Sequence, residues 1–333
     1  MAEVFFCQLI YNQITICTIV LIICVLNKYI FVTEIMKSFK GILSRSGIYS
    51  KLLLFFGVTV FFTLFALLIW KIMTPENSTD IASLKILQLF QSIGMFVTPP
   101  FVVAYLWSKN PIDYLHLTKK THWIDAMVII IFMIIIIPFV NFLGAVNQQL
   151  VLPKAFSELE ALMKASELQA AQLTQSMLNV SNVQGLVFNI ILIALLPGLG
   201  EELFFRGALQ RVFQEWKGPI VAIWITAFIF SAIHFQFYGF LPRMLLGAFL
   251  GYLFYWSGNL WLPILAHFIN NFIAVIFYYF TNKGFILPNI DTAGTGNTQW
   301  LGWLSGVVVI FGVVFIKKRF SLNFSRNING IDK

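Results

Sequence analysis

Runs of predominantly apolar residues recur along the whole length of this 333-residue chain. About 20 apolar residues in a helix cross a hydrocarbon core roughly 30 Å thick, whereas membrane strands need much shorter, alternating runs. The sequence therefore predicts an all-α fold, a polytopic transmembrane helical bundle with eight or nine spans. The candidate runs lie near residues 4–26, 51–73, 84–107, 124–145, 182–200, 219–237, 242–257, 259–281 and 300–316.

Composition and charge indicate a membrane protein and exclude a nucleic-acid-binding one. Hydrophobic residues make up 59% of the chain and charged residues only 11%, against about 25% charged residues in ordinary soluble domains. The net charge of +8 comes from Lys and Arg in short breaks between apolar runs, without the clustered basic face of a nucleic-acid-binding domain. Basic residues occupy alternate loops and follow the last run at 317–319. The positive-inside rule then predicts a cytoplasmic C-terminus, and we expect an integral multi-pass protein of a bacterial plasma membrane.

Four segments are expected along the chain. Residues 1–35 contain the first apolar run and end just before a second methionine, so we expect an appended span that activity does not require. Residues 36–181 should hold the N-terminal transmembrane helices and, near 153–178, an amphipathic surface helix rich in Ala, Glu, Gln and Leu. Residues 182–281 are the predicted functional core. Residues 282–333 supply a loop, the last span and a basic tail.

Ionisable side chains are concentrated in the core segment, in or directly after three of its apolar runs. Such groups cost about 2.5–3.5 kcal/mol each at the centre of a membrane helix, so they usually face the protein interior and have a function. His116 and His122 lie instead in a basic loop, where we expect them to be solvated. The concentrated set is Glu201, Glu202 and Arg206, then His234, then His267 with Asn270 and Asn271.

Helical spacing assigns different tasks to the two adjacent glutamates. Glu202 and Arg206 are i,i+4 neighbours with the acid N-terminal, the favourable order for an ion pair. Glu201 points about 100° away from Glu202 around the helix. Glu201 is therefore the carboxylate left free to act as a general base on water.

The histidines must come from different helices for a site to form. His267 and Asn271 are i,i+4 and share a helix face, and Asn270 at i+3 lies on nearly the same face, so spacing does not choose between the asparagines. His234 belongs to another run, which requires three helices to converge. Taken singly, each histidine is more typical of a packing group, and Glu202 with Arg206 of a structural clamp. Their coincidence favours a site, with Phe230 as a packing residue.

The ordered motifs resemble those of a known family. Glu-Glu-x-x-x-Arg from Glu201, Phe-x-x-x-His ending at His234 and His-x-x-x-Asn from His267 are similar to the motifs of the CPBP intramembrane proteases, also called the Abi family. That family includes the CAAX prenyl endopeptidases and bacteriocin-processing or immunity proteins. The resemblance covers roughly residues 182–281. Each motif alone is weak, whereas three in order are specific.

The resemblance implies a helical peptidase with its site in a membrane cavity. It implies that Glu201 is the general base, that His234 orients the water, and that His267 with Asn271 holds the oxyanion. Glu202 and Arg206 match the supporting pair. The choice of Asn271 over Asn270 comes from the family pattern.

Two versions of the chemistry are open at the level of the sequence. Glutamate, histidine and asparagine supply an activated water and oxyanion donors without a metal. A catalytic zinc ion would also accept Glu201, His234 and His267 as three ligands with water as the fourth. The His-Glu-x-x-His signature is absent, and the expected cofactor is either none or one Zn²⁺, with the metal-free version favoured.

We therefore expect an intramembrane endopeptidase that acts on a peptide or membrane-anchored protein, prenylated (CAAX-type) or bacteriocin-like. The rival classes are a non-enzymatic immunity or binding protein and a proton-coupled transporter. A transporter often has interrupted spans in two similar halves, whereas the polar residues here lie in one half of the chain.

Overall fold

The computed structural model describes residues 38–74, 80–285 and 290–329. The first predicted span at 4–26, and with it the appended segment 1–35, lies outside the described residues. Within the described ranges every regular element is helical, which confirms the predicted all-α fold class.

The described residues of the N-terminal half form five longer helices. A one-turn helix, Pro111–Tyr114, lies in the basic loop, and a 3₁₀ turn, Lys154–Phe156, precedes the fifth helix. The five are α1 (Ile48–Met73), α2 (Ile81–Trp107), α3 (Trp123–Ile135), α4 (Ile137–Gln148) and α5 (Ser157–Leu178).

The C-terminal half contains four more helices and carries the predicted core. A loop with 3₁₀ turns at Ile290–Thr292 and Gly296–Thr298 precedes the last of them. The four are α6 (Val183–Ala232), α7 (Phe240–Ser257), α8 (Trp261–Asn282) and α9 (Gln299–Asn329).

The eight or nine predicted crossings are not confirmed. Five helices among the described residues are long and apolar enough to cross a membrane, namely α1, α2, α6, α8 and the Gly296–Phe320 part of α9. The pair α3 and α4, bent by 41°, makes a sixth if it counts as one span. The predicted crossing at 242–257 corresponds to α7, which is not one of these helices. Several apolar helices of this length nevertheless support an integral membrane protein.

The site helix α6 breaks at a different place from the one its sequence indicates. Pro197 and the glycines beside it predict a bend at 197–200. The helix continues through this stretch, with π-helical turns before it at Ile190–Leu195 and after it at Leu203–Leu209. The non-helical residue is Gly218, with φ of 78° followed by Pro219. Because a positive φ favours glycine and proline cannot donate to the preceding turn, α6 consists of two limbs that meet there.

Gly198 allows α6 and α8 to pack closely beside the candidate site. A Cβ atom at Gly198 would lie 3.0 Å from the backbone nitrogen and 3.2 Å from the Cα of Phe268. Phe268 follows His267 directly, and Gly198 precedes Glu201 by three residues. The glycine therefore sets the distance between the two helices that carry these side chains.

Replacing Gly198 by Ala should lower the free energy of unfolding by about 1–3 kcal/mol, because the new methyl group meets backbone atoms that cannot rotate away. The matched control is Gly57→Ala in α1, where no atom lies within 4 Å of the added Cβ. The control should be neutral or slightly stabilising, since alanine is the better helix former. Thermal unfolding of both variants in detergent checks this, and equal stability would contradict the close contact.

The amphipathic helix expected near 153–178 is present as α5. Its leucines, including Leu162 and Leu168, are mostly exposed. The C-terminal end of α5 is bound to α6, because Asn189 Nδ2 donates to the Met177 carbonyl oxygen at 3.0 Å. In the middle, Glu167 Oε2 accepts from the Tyr238 backbone N–H at 3.0 Å. The helix is thereby joined to the turn that follows His234.

Candidate active site

A buried ion pair forms the base of the candidate site. Arg206 Nη1 donates to Glu202 Oε1 at 2.6 Å, and both side chains are fully buried. Arg206 Nη2 donates to the Gly247 carbonyl oxygen of α7 at 2.8 Å. The pair predicted from i,i+4 spacing is thus present and also connects α6 to α7.

His267 is bound to the same carboxylate. Its Nδ1 lies 2.8 Å from Glu202 Oε1. Because the carboxylate oxygen accepts and also receives the Arg206 hydrogen bond, Nδ1 is the protonated nitrogen of the ring. The bond fixes the orientation of the imidazole and directs Nε2 towards Glu201. Sequence spacing did not indicate this contact, which joins residues 65 positions apart.

Glu201 occupies the position expected of a free carboxylate. Its side chain is 13% exposed, and its buried Oε2 has no hydrogen-bond partner among the described residues. The nearest basic atom is His267 Nε2 at 3.9 Å, which is too long for a hydrogen bond. Glu201 is therefore held beside His267 without being bonded to it.

His234 packs against the same phenylalanine ring as His267. Its Nδ1 donates to the Phe230 carbonyl oxygen, with 2.8 Å between the two atoms. The Phe230 ring is 5.3 Å from the His234 ring and 5.9 Å from the His267 ring, edge-on to both. Arg206 also packs over the Phe230 ring at 4.9 Å. Phe230 is a packing residue, as expected, but it also sets the separation of the two histidines.

The two asparagines are bonded to each other. Asn270 Nδ2 donates to Asn271 Oδ1 at 3.1 Å, and both residues are half-buried. This contact engages the oxygen of Asn271, so its Nδ2 group is the end that remains available as a donor. Asn270 thus orients the residue that the motif singles out.

The two histidines outside the core segment differ from each other. His122 is exposed, as expected. The expectation that His116 is solvated is wrong, because the ring is half-buried and its Nδ1 lies 3.0 Å from the Gly258 carbonyl oxygen. Burial lowers the pKa of His116 below its ordinary value. His116 therefore helps to fix the loop before α3 against the end of α7.

The described residues do not include a group of three or more His, Cys, Asp or Glu side chains arranged to hold a metal ion. Glu201 and His267 lie 3.9 Å apart, and the Phe230 ring packs against the rings of both His234 and His267. The alternative zinc ligand set is therefore not assembled by these side chains as they stand.

The predicted residues thus lie at one place in the bundle. They come from α6, from the turn that follows α6, and from α8. The matching family model is described as Type II CAAX prenyl endopeptidase Rce1-like, and it matches residues 183–273. These residues form an Rce1-like domain. The CPBP resemblance is thereby confirmed, and the Rce1-like domain contains all three motifs.

One curated relative comes from Bacillus subtilis (strain 168) and is called Uncharacterized protein YpbD. It is 34% identical over 85 residues, which are 24% of this chain and 41% of the relative. The chain therefore spans less than half the length of this relative. No solved structure matches the chain. The Rce1-like domain and the apolar helices together support an integral membrane protease.

Proposed function

We propose that this protein is an intramembrane endopeptidase that hydrolyses a peptide bond with water activated by Glu201. The observation that carries the proposal is the pair of carboxylates with separate environments. Glu202 Oε1 binds both Arg206 and His267, and its side chain is fully buried. Glu201 makes no such bond: its Oε2 has no hydrogen-bond partner among the described residues, lies 3.9 Å from His267 Nε2, and belongs to a side chain that is 13% exposed. A base needs such a free oxygen within reach of water.

In the proposed reaction Glu201 takes a proton from water while the water oxygen forms a bond to the carbonyl carbon of the substrate. The negative charge on the former carbonyl oxygen is stabilised by Asn271 Nδ2 and by Nε2 of a doubly protonated His267, whose Nδ1 proton remains bonded to Glu202. The carbon–nitrogen bond then breaks, and Glu201 returns its proton to the departing amine. His234 keeps Nε2 free to accept from the attacking water, because its Nδ1 donates to Phe230.

The proposed substrate is a membrane-anchored peptide or protein, prenylated in the manner of CAAX proteins or bacteriocin-like. The family description supports a prenylated substrate. The location of Glu201, His267 and Asn271 on the apolar helices α6 and α8 supports a lipid-anchored one. A substrate with a lipid anchor reaches such a site through the bilayer.

We propose that the reaction needs no metal, because Glu201 can activate the water and Asn271 with His267 can stabilise the oxyanion without one. Purified protein in nanodiscs should cleave a fluorogenic peptide in which a farnesyl-cysteine is followed by three aliphatic residues. Mass spectrometry identifies the cleaved bond. The rate should change less than about twofold with 1,10-phenanthroline, the range of ordinary surface effects.

Two outcomes would count against these proposals in different ways. If the chelator abolishes activity and added zinc restores it, the reaction depends on a metal ion. A well-folded protein that cleaves neither the prenylated peptide nor its unprenylated counterpart would favour a binding-only role.

A further inference from the structure

Arg243 lies at the edge of the candidate site without an anionic partner. It belongs to the first turn of α7 and follows His234 by nine residues. Its Nη2 donates to Gln236 Oε1 at 2.5 Å. Its Nη1 is buried and has no hydrogen-bond partner among the described residues. The side-chain partner of this half-buried guanidinium is thus the neutral amide of Gln236.

The arginines of the described residues differ in their partners. Arg211, like Arg243, has a buried Nη1 without a hydrogen-bond partner, but its guanidinium packs over the Tyr114 ring at 4.0 Å. Arg206 donates to Glu202 and Arg319 to Asp125, each at 2.6 Å. Arg243 makes no ion pair with a carboxylate of the described residues. A buried guanidinium donor without a partner costs free energy, which a bound anion would recover.

The guanidinium lies near the reacting groups. Its charge interacts with those of Glu201 and Glu167 and with His234. Gly239 leaves room for it, because a Cβ atom there would lie 3.0 Å from Nη2. Glu167 is the α5 residue bonded to the turn after His234. Arg243 therefore lies between the proposed base and the surface helix α5.

We propose that Arg243 binds a carboxylate of the substrate, and so selects peptides that carry one close to the cleaved bond. The proposal rests on the proposed peptidase function. Guanidinium and carboxylate match in shape and charge, with Nη1 as the available donor. The carboxylate is either the C-terminus of the substrate or the side chain of an acidic residue near it. Bonding to Arg243 would fix which bond lies beside Glu201.

The test compares three peptides that share the farnesyl-cysteine and the first two of the three residues that follow it. One ends in a free acid, one in an amide, and one in an amide with Asp as the last residue. The wild-type KM for the acid should be about 10- to 100-fold lower than for the plain amide, the range of a charged hydrogen bond. If the enzyme also prefers the Asp peptide over the plain amide, a side-chain carboxylate is sufficient for binding to Arg243. If it prefers the free acid alone, Arg243 binds the C-terminal carboxylate.

Arg243→Gln should raise KM for the acid to the value for the amide while kcat changes little. Arg243→Lys keeps the charge and should retain part of the preference. The matched control is Arg45→Gln, which removes one positive charge from an exposed position and should keep the full preference. A positioning role for Arg243 predicts instead equal loss of kcat for all three peptides, and that outcome would overturn the proposal.

Binding provides a readout that does not need cleavage. The aliphatic tripeptide that the reaction would release is titrated, as free acid and as amide, against wild-type and Arg243→Gln protein in nanodiscs. Tighter binding of the acid, lost in the variant, supports the proposal even if no peptide is cut. Equal binding of acid and amide by the wild type would overturn it, whereas absence of cleavage alone would count only against the peptidase function.

Discussion

Replacing Glu201 by Gln should reduce kcat for peptide cleavage by about 10²- to 10⁴-fold, the usual contribution of a general base. Glutamine keeps the shape of the side chain and removes only its ability to take a proton. The buried Oε2 of Glu201 has no hydrogen-bond partner among the described residues, so no bond to that oxygen is lost with the substitution. The free energy of unfolding should therefore change little, whereas kcat should fall strongly.

The matched control for Glu201→Gln is Glu215→Gln. Glu215 lies on the same helix, is exposed and pairs with Lys51 at 2.5 Å. Its substitution removes the same charge outside the candidate site and should leave kcat within about twofold of the wild type, as surface changes usually do. Steady-state kinetics and thermal unfolding of both variants separate loss of chemistry from loss of fold. Full activity in Glu201→Gln would remove this residue from the mechanism.

Local spacing predicted the part of the site that lies within one helix turn. Glu202 and Arg206 form the expected i,i+4 pair, and Glu201 is turned away from it. Such contacts follow from helix geometry alone. The catalytic roles of Glu201, His234, His267 and Asn271 stay predictions until activity is measured.

Contacts between distant segments could not be predicted in the same way. The bond from His267 to Glu202 depends on how closely α6 and α8 pack, which Gly198 permits. Arg243 carried no motif, and its importance appears only when its missing partner and its charged neighbours are seen together. A signal was present in the sequence, because an arginine near the start of an apolar run is costly.

Counting apolar runs predicted helices better than it predicted crossings. A run reports that a segment avoids water, but a buried helix in the bundle avoids water as well. α7 illustrates the difference: it spans 18 residues, many of them buried, and packs against α6. The break at Gly218 shows the same limit, since the run near Pro197 contained more helix-breaking residues.

Replacing Arg206 by Met should lower the free energy of unfolding by about 3–5 kcal/mol, because it leaves Glu202 as a buried charge without its cation. Both side chains are fully buried, and Arg206 also bonds to Gly247. The matched control is Arg319→Met, whose ion pair with Asp125 is equally short but partly exposed, at 26% and 12%. Because the Asp125 pair is only partly buried, water can reach its carboxylate after the substitution, and the control should lose less stability.

A double variant, Glu202→Gln with Arg206→Met, separates the clamp from the catalyst. Removing both charges should recover part of the stability lost in Arg206→Met, because no unpaired carboxylate remains. Activity should nevertheless stay low, since His267 loses the carboxylate that orients it. Thermal unfolding and peptide cleavage measured on the same preparations decide the matter. Recovered stability together with recovered cleavage would mean that His267 does not need Glu202, and the clamp would then serve the fold alone.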